Sequence, residues 1–168
     1  KWEKGTAEYR GTRSVLAEAL PEISDDNLTW TFNLHPNATW HDGEVLDADD
    51  VVFTVNEVWV NPDVAYYLRG NLGMIESAEK IDAQTVQLNL NEAAYNLPWM
   101  LGYLANILPE HIMADWTPEQ FVDPVEFLQN PIGSGPFKFD EAVPGSHARF
   151  VRYDDYFGGA RHLDAVLF

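Results

Sequence analysis

Residues 28–59 read L-T-W-T-F-N-L-H-P-N-A-T-W-H-D-G-E-V-L-D-A-D-D-V-V-F-T-V-N-E-V-W. Leu28, Trp30, Phe32 and Leu34 alternate with Thr29, Thr31 and Asn33, which predicts a strand with four large side chains on one half-buried face. Pro36-Asn37 turns the chain, and His41-Asp42-Gly43 makes a second turn in which Gly43 is free to take a positive φ. Asp47 stands at a helix N-cap, where its carboxylate can accept from the Asp50 N–H and complement the helix dipole. Val51, Val52, Val55, Val58 and Trp59 then share one face of a predicted helix, although their β-branching opposes helix locally.

Three pieces of this stretch stand in a recognisable order: Trp30-Thr31-Phe32-Asn33-Leu34, Trp40-His41-Asp42-Gly43, and Asp47-Ala48-Asp49-Asp50-Val51-Val52-Phe53-Thr54. Together they resemble the family 5 extracellular solute-binding proteins, the oligopeptide, dipeptide and nickel binding components of ABC importers. Asp47 departs from the Thr or Ser usual there, but either is a good cap. The resemblance extends over roughly residues 14–168. Leu16-Ala17-Glu18 fit it, with Leu20 where an aromatic is common. So do Ile107 to Ile112, the run Pro131-Ile132-Gly133-Ser134-Gly135-Pro136-Phe137 with Ser134 for Thr, and Tyr153 to Phe157 with Phe157 for Trp.

Working outward, residues 1–13 are polar and read as a loop or strand remnant, and 21–27 as a polar connection ending in an Asp25-Asp26-Asn27 turn. Asn61 and Pro62 predict the cap and first position of a short helix over 64–69, stopped by Gly70. Residues 74–81 and 85–90 predict a hairpin about Asp82-Ala83, and 95–103 a buried helix. Thr117 and Gln120 have capping-box spacing. Pro144-Gly145 predicts a hairpin turn before a strand over 148–152, and 163–168 a last apolar strand.

Composition excludes several classes. Of 168 residues, 27 are acidic and 10 basic, a net charge of −17. Nucleic-acid binding needs clustered Lys and Arg, so no nucleic-acid partner is expected, and an anionic membrane surface would repel the chain. An acidic, solvated surface is the plain reading. With no cysteine, thiolate metal sites, cysteine nucleophiles and disulfides are excluded. No apolar run reaches the ~18–20 residues of a membrane span. The chain begins at Lys1, without a leader-like segment, and is expected to be a processed or excised piece.

Candidate chemistry is sparse. His35, His41, His111, His147 and His162 are not spaced as metal ligands, so no metal site is expected. His41-Asp42 could mimic a catalytic pair, but its place in a turn argues that Asp42 caps that turn. Gly133-Ser134-Gly135 matches neither a nucleophile elbow nor a phosphate loop, and reads as a close backbone approach. Asp25-Asp26 and Asp49-Asp50 lack a calcium-loop template. Trp30, Trp40 and Trp59 fall on predicted core faces rather than on a carbohydrate platform; Trp2 and Trp116 have no such account.

The resemblance supplies the rest. It implies an α/β chain, mixed α+β within this piece, of the type II periplasmic-binding-protein fold. Residues 1–125 would be the extra subdomain of the N-terminal lobe, and 126–168 strands returning to that lobe's main sheet. Ligand would lie in a cleft completed by a second lobe, so this chain alone is expected to bind weakly or not at all. Tyr66, Tyr67, Gly102, Tyr103, Gly133, Ser134 and Gly135 are the cleft-edge candidates. Nickel binders carry an arginine where this chain has Gly102 or Tyr103, which argues against a nickel chelate.

The implied function is peptide capture for an ABC permease, without catalysis or cofactor, at the periplasmic or extracellular face of the membrane, the parent being periplasmic or lipid-anchored. The alternatives are a ligand-sensing domain of a regulatory protein, or a binder of oligosaccharide, glutathione or a nickel chelate. Exposed sheet edges in such a piece would favour non-native self-association.

Overall fold

A computed structural model describes residues 16–104, 106–159 and 161–168, except for the side chains of Tyr103 and Leu104. The readings of residues 1–13, of Trp2 and of the Tyr103 side chain lie outside it. Helices and two antiparallel sheets make up the described chain.

The first sheet has the order β1 (Glu22–Ile23), β2 (Thr29–Asn33), β4 (Thr85–Leu90), β3 (Ile75–Lys80). Strand β2 lies where alternation put it, pairing Trp30 with Leu88 and Phe32 with Val86. On one face, Trp30, Ile75, Ala78, Val86, Leu88 and Leu90 are buried. The other face is polar: the Asn89 amide donates to Ser77 Oγ and Glu79 Oε1 at 3.2 and 3.0 Å. The strand β1 falls in what reads as a polar connection; it pairs with β2 through its backbone, and its Ile23 packs half-buried against the core. The Asp25–Asn27 turn holds, with Asn27 at φ +63°.

Helix α1 (Ala48–Phe53) covers the apolar face and continues as a π-helical stretch, Thr54–Trp59. The regular helix expected over the whole segment thus widens at its middle. Thr54 Oγ1 donates to the Asp50 carbonyl at 2.7 Å and accepts from Leu108 N–H at 2.8 Å, and Val60 N–H reaches back to Val55. In the widened turn, Asn56 bonds both the Ala78 N–H and the Ala78 carbonyl, each at 2.9 Å. This amide covers part of edge strand β3, as a neighbouring strand would.

Three expectations shift. No helix spans 64–69: the Asn61 side chain accepts from Asp63 N–H and closes a turn, and the Arg69 guanidinium donates to the Asn61 and Val64 carbonyls. The short helix α2 is Arg69–Leu72, and Gly70 lies inside it rather than stopping it. Helix α3 is Leu97–Leu104 and only partly buried: Leu97 and Met100 are inside, while Tyr95 and Trp99 are exposed. Helices α4 (Glu110–Met113), α5 (Pro118–Val122) and α6 (Val125–Gln129) follow, α5 with the Thr117/Gln120 capping box. Trp116 packs against Phe121 and Phe127.

The second sheet has the order β5 (Phe137–Val143), β6 (His147–Arg152), β7 (Ala165–Leu167). Its first hairpin turns through Gly145 at φ +73°. The final strand is shorter than 163–168, and Leu163 and Phe168 are exposed. Among the described residues, no helix is long and apolar enough to cross a membrane.

Candidate functional site

The tryptophan turn is built by its own backbone. Trp40 N–H donates to the Glu44 carbonyl and Gly43 N–H to the Trp40 carbonyl, with Gly43 at φ +97°. Asp42 Oδ1 accepts from Glu44 N–H at 3.2 Å, the capping role its position implies. Its other oxygen meets His111 Nε2 at 2.8 Å, so the histidine paired with Asp42 comes from α4 and not from the neighbouring His41. Burial pushes the Asp42 carboxyl up, but the His111 imidazole and the Glu44 amide hold it below its ordinary value.

Beneath this turn, Asp50 ties the sequence motif together. It is 4% exposed and accepts from Trp40 Nε1 (3.1 Å), Asp47 N–H (3.1 Å) and Glu110 N–H (2.9 Å). Asp47 returns the bond through Asp49 N–H at 2.8 Å and completes a capping box with the Asp50 N–H. One carboxylate thus joins the tryptophan turn, the start of α1 and the start of α4. Burial raises its pKa, and the three donors oppose that rise.

The loop over 130–136 docks on the other side of the turn. His41 N–H donates to the Gly133 carbonyl at 2.8 Å. Gly133 N–H in turn donates to His41 Nδ1 at 3.2 Å, and His41 Nε2 lies 2.9 Å from the Gly135 carbonyl. An Nδ1 that accepts a bond carries no proton, so Nε2 is the donor and the ring is neutral. A Cβ on Gly133 would sit 3.3 Å from His41 Cε1, so the close approach read from this loop is real at Gly133; at Gly135 a Cβ would meet nothing within 4 Å.

Tyr153 adds a second tie between turn and second sheet. Its hydroxyl donates to the Trp40 carbonyl at 2.9 Å and accepts from Thr39 Oγ1 at 2.8 Å, and its ring stands edge-on to His41 at 5.1 Å.

The other candidates lie apart from this loop. Gly102 lines an apolar groove of about 300 Å³ with Leu16, Leu20, Phe32, Trp59 and Leu101. Tyr66, Tyr67, Gly133, Ser134 and Gly135 do not line that groove. Tyr66 packs half-buried against the main core, where burial pushes its phenol up to about 12; Tyr67 is 78% exposed, its ring 5.2 Å from that of Tyr66. Trp30, Trp40 and Trp59 are buried, as their core-face reading has it. Sequence reasoning missed His41 as a docking residue, because its partners lie more than ninety positions away. The one hint was a histidine within the tryptophan turn and a glycine pair far downstream.

Residues 12–168 match the family of bacterial extracellular solute-binding proteins, family 5, in its middle region. A Brucella ovis protein assigned as an ABC transporter peptide-binding protein is 36% identical over 148 residues, covering 87% of this chain and 27% of its own length. The oligopeptide-binding protein AppA of Bacillus subtilis is 34% identical over 164 residues, 97% of this chain and 30% of that protein. Its structure in complex with a nonapeptide superposes with a TM-score of 0.83 over 90% of this chain and 30% of AppA. NikZ of Campylobacter jejuni, in complex with Ni(L-His), gives 0.80 at 27% identity, over 90% of this chain and 29% of NikZ. The chain spans about three-tenths of the length of the curated relatives it matches.

Proposed function

The chain belongs to the family 5 bacterial extracellular solute-binding proteins, and from that premise we propose that it forms part of a peptide-capturing protein serving an ABC importer. The observation that carries this reading is the likeness, over nine-tenths of the chain, to an oligopeptide-binding protein holding a nonapeptide. In this reading the protein performs no catalysis and works outside the cytoplasmic membrane, passing ligand to a permease. Residues 1–125 act as the extra subdomain and 126–168 as strands of the ligand-bearing lobe. The loop Gly133-Ser134-Gly135 edges the cleft, with Tyr66, Tyr67, Gly102 and Tyr103 as outlying contacts. Backbone hydrogen bonds to an extended peptide suit a cleft that must accept many side chains. A nickel chelate is the second reading, favoured by the likeness to NikZ.

The test is a thermal-shift titration with di- to pentapeptides and with nickel–histidine, on this chain and on a version extended by its flanking coding sequence to the length of the relatives. Peptide stabilisation of the extended protein, with little for residues 1–168, is the expected result. Stabilisation by nickel–histidine alone would overturn the peptide reading. Strong stabilisation of residues 1–168 by themselves would overturn the placement of the cleft edge.

A further inference from the structure

The join between the tryptophan turn and the 130–136 loop carries one more conclusion. We propose that His41 is the positioning residue of the Gly133–Gly135 loop, clamping its backbone with a neutral ring protonated on Nε2 so that the loop holds one conformation at the cleft edge. That the loop edges a cleft rests on the peptide-binding reading; that His41 clamps it does not. Three bonds converge on one residue: the His41 N–H to the Gly133 carbonyl, the Gly133 N–H to Nδ1, and Nε2 to the Gly135 carbonyl. The loop segment itself has no regular hydrogen-bond ladder. Tyr153 fixes the ring's edge, and the absence of a side chain at Gly133 lets the imidazole lie against the Cα.

This arrangement tolerates one protonation state. A proton on Nδ1 would turn an acceptor into a donor facing the Gly133 N–H. The charged and titratable groups around the ring are Lys138, which disfavours the imidazolium, and Asp42, which favours it and is itself paired to His111; Tyr153 faces it as a phenol. Burial is the largest influence and sets the ring's pKa below its ordinary 6.5. The unfolded chain therefore takes up its proton first as pH falls. The clamp's contribution is complete above the ordinary value and is lost as pH drops from there through the lower folded value.

Nitrogen-15 spectra of the ring and of the Gly133 and Gly135 amides, recorded from pH 8 to 4.5 on residues 1–168, test this without any ligand. The expected spectrum shows Nε2–H at pH 8. The two glycine amides should then shift together with His41 in one transition centred below 6.5. His41→Gln keeps a donor for the Gly135 carbonyl but cannot titrate, so the pH response of both amides should vanish. His111→Gln should leave that response in place. An Nδ1–H ring, glycine amides indifferent to His41→Gln, or a transition that disappears with His111→Gln would each overturn the proposal. Were His41→Gln to fail to fold, the tautomer and the coincidence of the transitions in the unsubstituted chain would still decide it. Peptide titrations bear on the cleft alone, so the clamp and the ligand reading stand or fall separately.

Discussion

In the first sheet, Val86, Leu88 and Leu90 of β4 are all at 3% exposure or less, whereas every residue of β6 in the second sheet is only half-buried. The first sheet has α1 and the π-helical stretch laid across its apolar face, closing a core that includes Trp30, Val55, Trp59 and Leu72. The second has an aromatic ladder, Phe139 to Phe150 to Phe168 at 5.8 and 5.9 Å, that ends in a Phe168 ring 81% exposed. Its buried residues, Tyr153 and Tyr156, cluster where the chain leaves β6. Each region draws its stability differently: the first from burial within itself, the second from its ties to the tryptophan turn, a few hydrogen bonds and the small cluster in which Ile132 and Phe157 pack against Ala38, Trp40 and Leu46.

If that is right, Trp40→Ala should have the largest effect. It removes a ring 2% exposed, frees a bond from the buried Asp50, and strips the turn on which the second sheet docks. We expect a loss of about 4 kcal/mol in urea unfolding. Phe150→Ala, on the half-covered ladder, should lose about 1–2 kcal/mol. Equal losses would break the comparison.

Gly158→Ala sharpens it from the other side. A Cβ there would fall 2.5 Å from Tyr156 Cε1, and that ring is 6% exposed and stacked under Arg161. About 2 kcal/mol should be lost. The damage should appear in the signals of the second sheet, with Trp30 and Trp59 unmoved. A spread of the perturbation into the first core would mean that the two regions do not separate in this way.

Asp47→Ala is the mildest. It removes the cap of α1 but leaves Asp50 its bonds to Trp40 and Glu110, so about 1 kcal/mol should be lost. Hydrogen exchange should quicken in the first turn of α1 and not in β5 or β6. A response in the second sheet would show that the cap, and not the turn, carries the docking.

Much of the fold was legible because its signals are local. Alternation at Trp30 and Phe32 places β2, Thr117 and Gln120 box the start of α5, and Asp82-Ala83 turns the β3–β4 hairpin. Reading failed where side chains took up backbone groups that the local pattern did not assign to them. Asn61 and Pro62 have the spacing of a cap and first helical position, yet no helix follows over 64–69, where the Arg69 guanidinium bonds the Asn61 and Val64 carbonyls. Thr54 and Leu108 widened the second half of a helix whose apolar spacing is ordinary. Of the cleft-edge candidates, Gly133 had a readable reason for being glycine, a close approach, but not the identity of what approaches.

By itself, then, the sequence determined β2, the β3–β4 hairpin, the caps of α1 and α5, the burial of Trp30, Trp40 and Trp59, and the family. Each depends on periodicities, on backbone geometry within a few residues, or on an ordered set of motifs. Only the tertiary structure decided that Asp50 joins three segments and that His41 holds the Gly133–Gly135 loop. Those bonds link residues 10, 60 and more than 90 positions apart. A hydrogen bond between segments far apart in sequence has no periodicity to announce it: its partner is whichever complementary group the fold brings within about 3 Å.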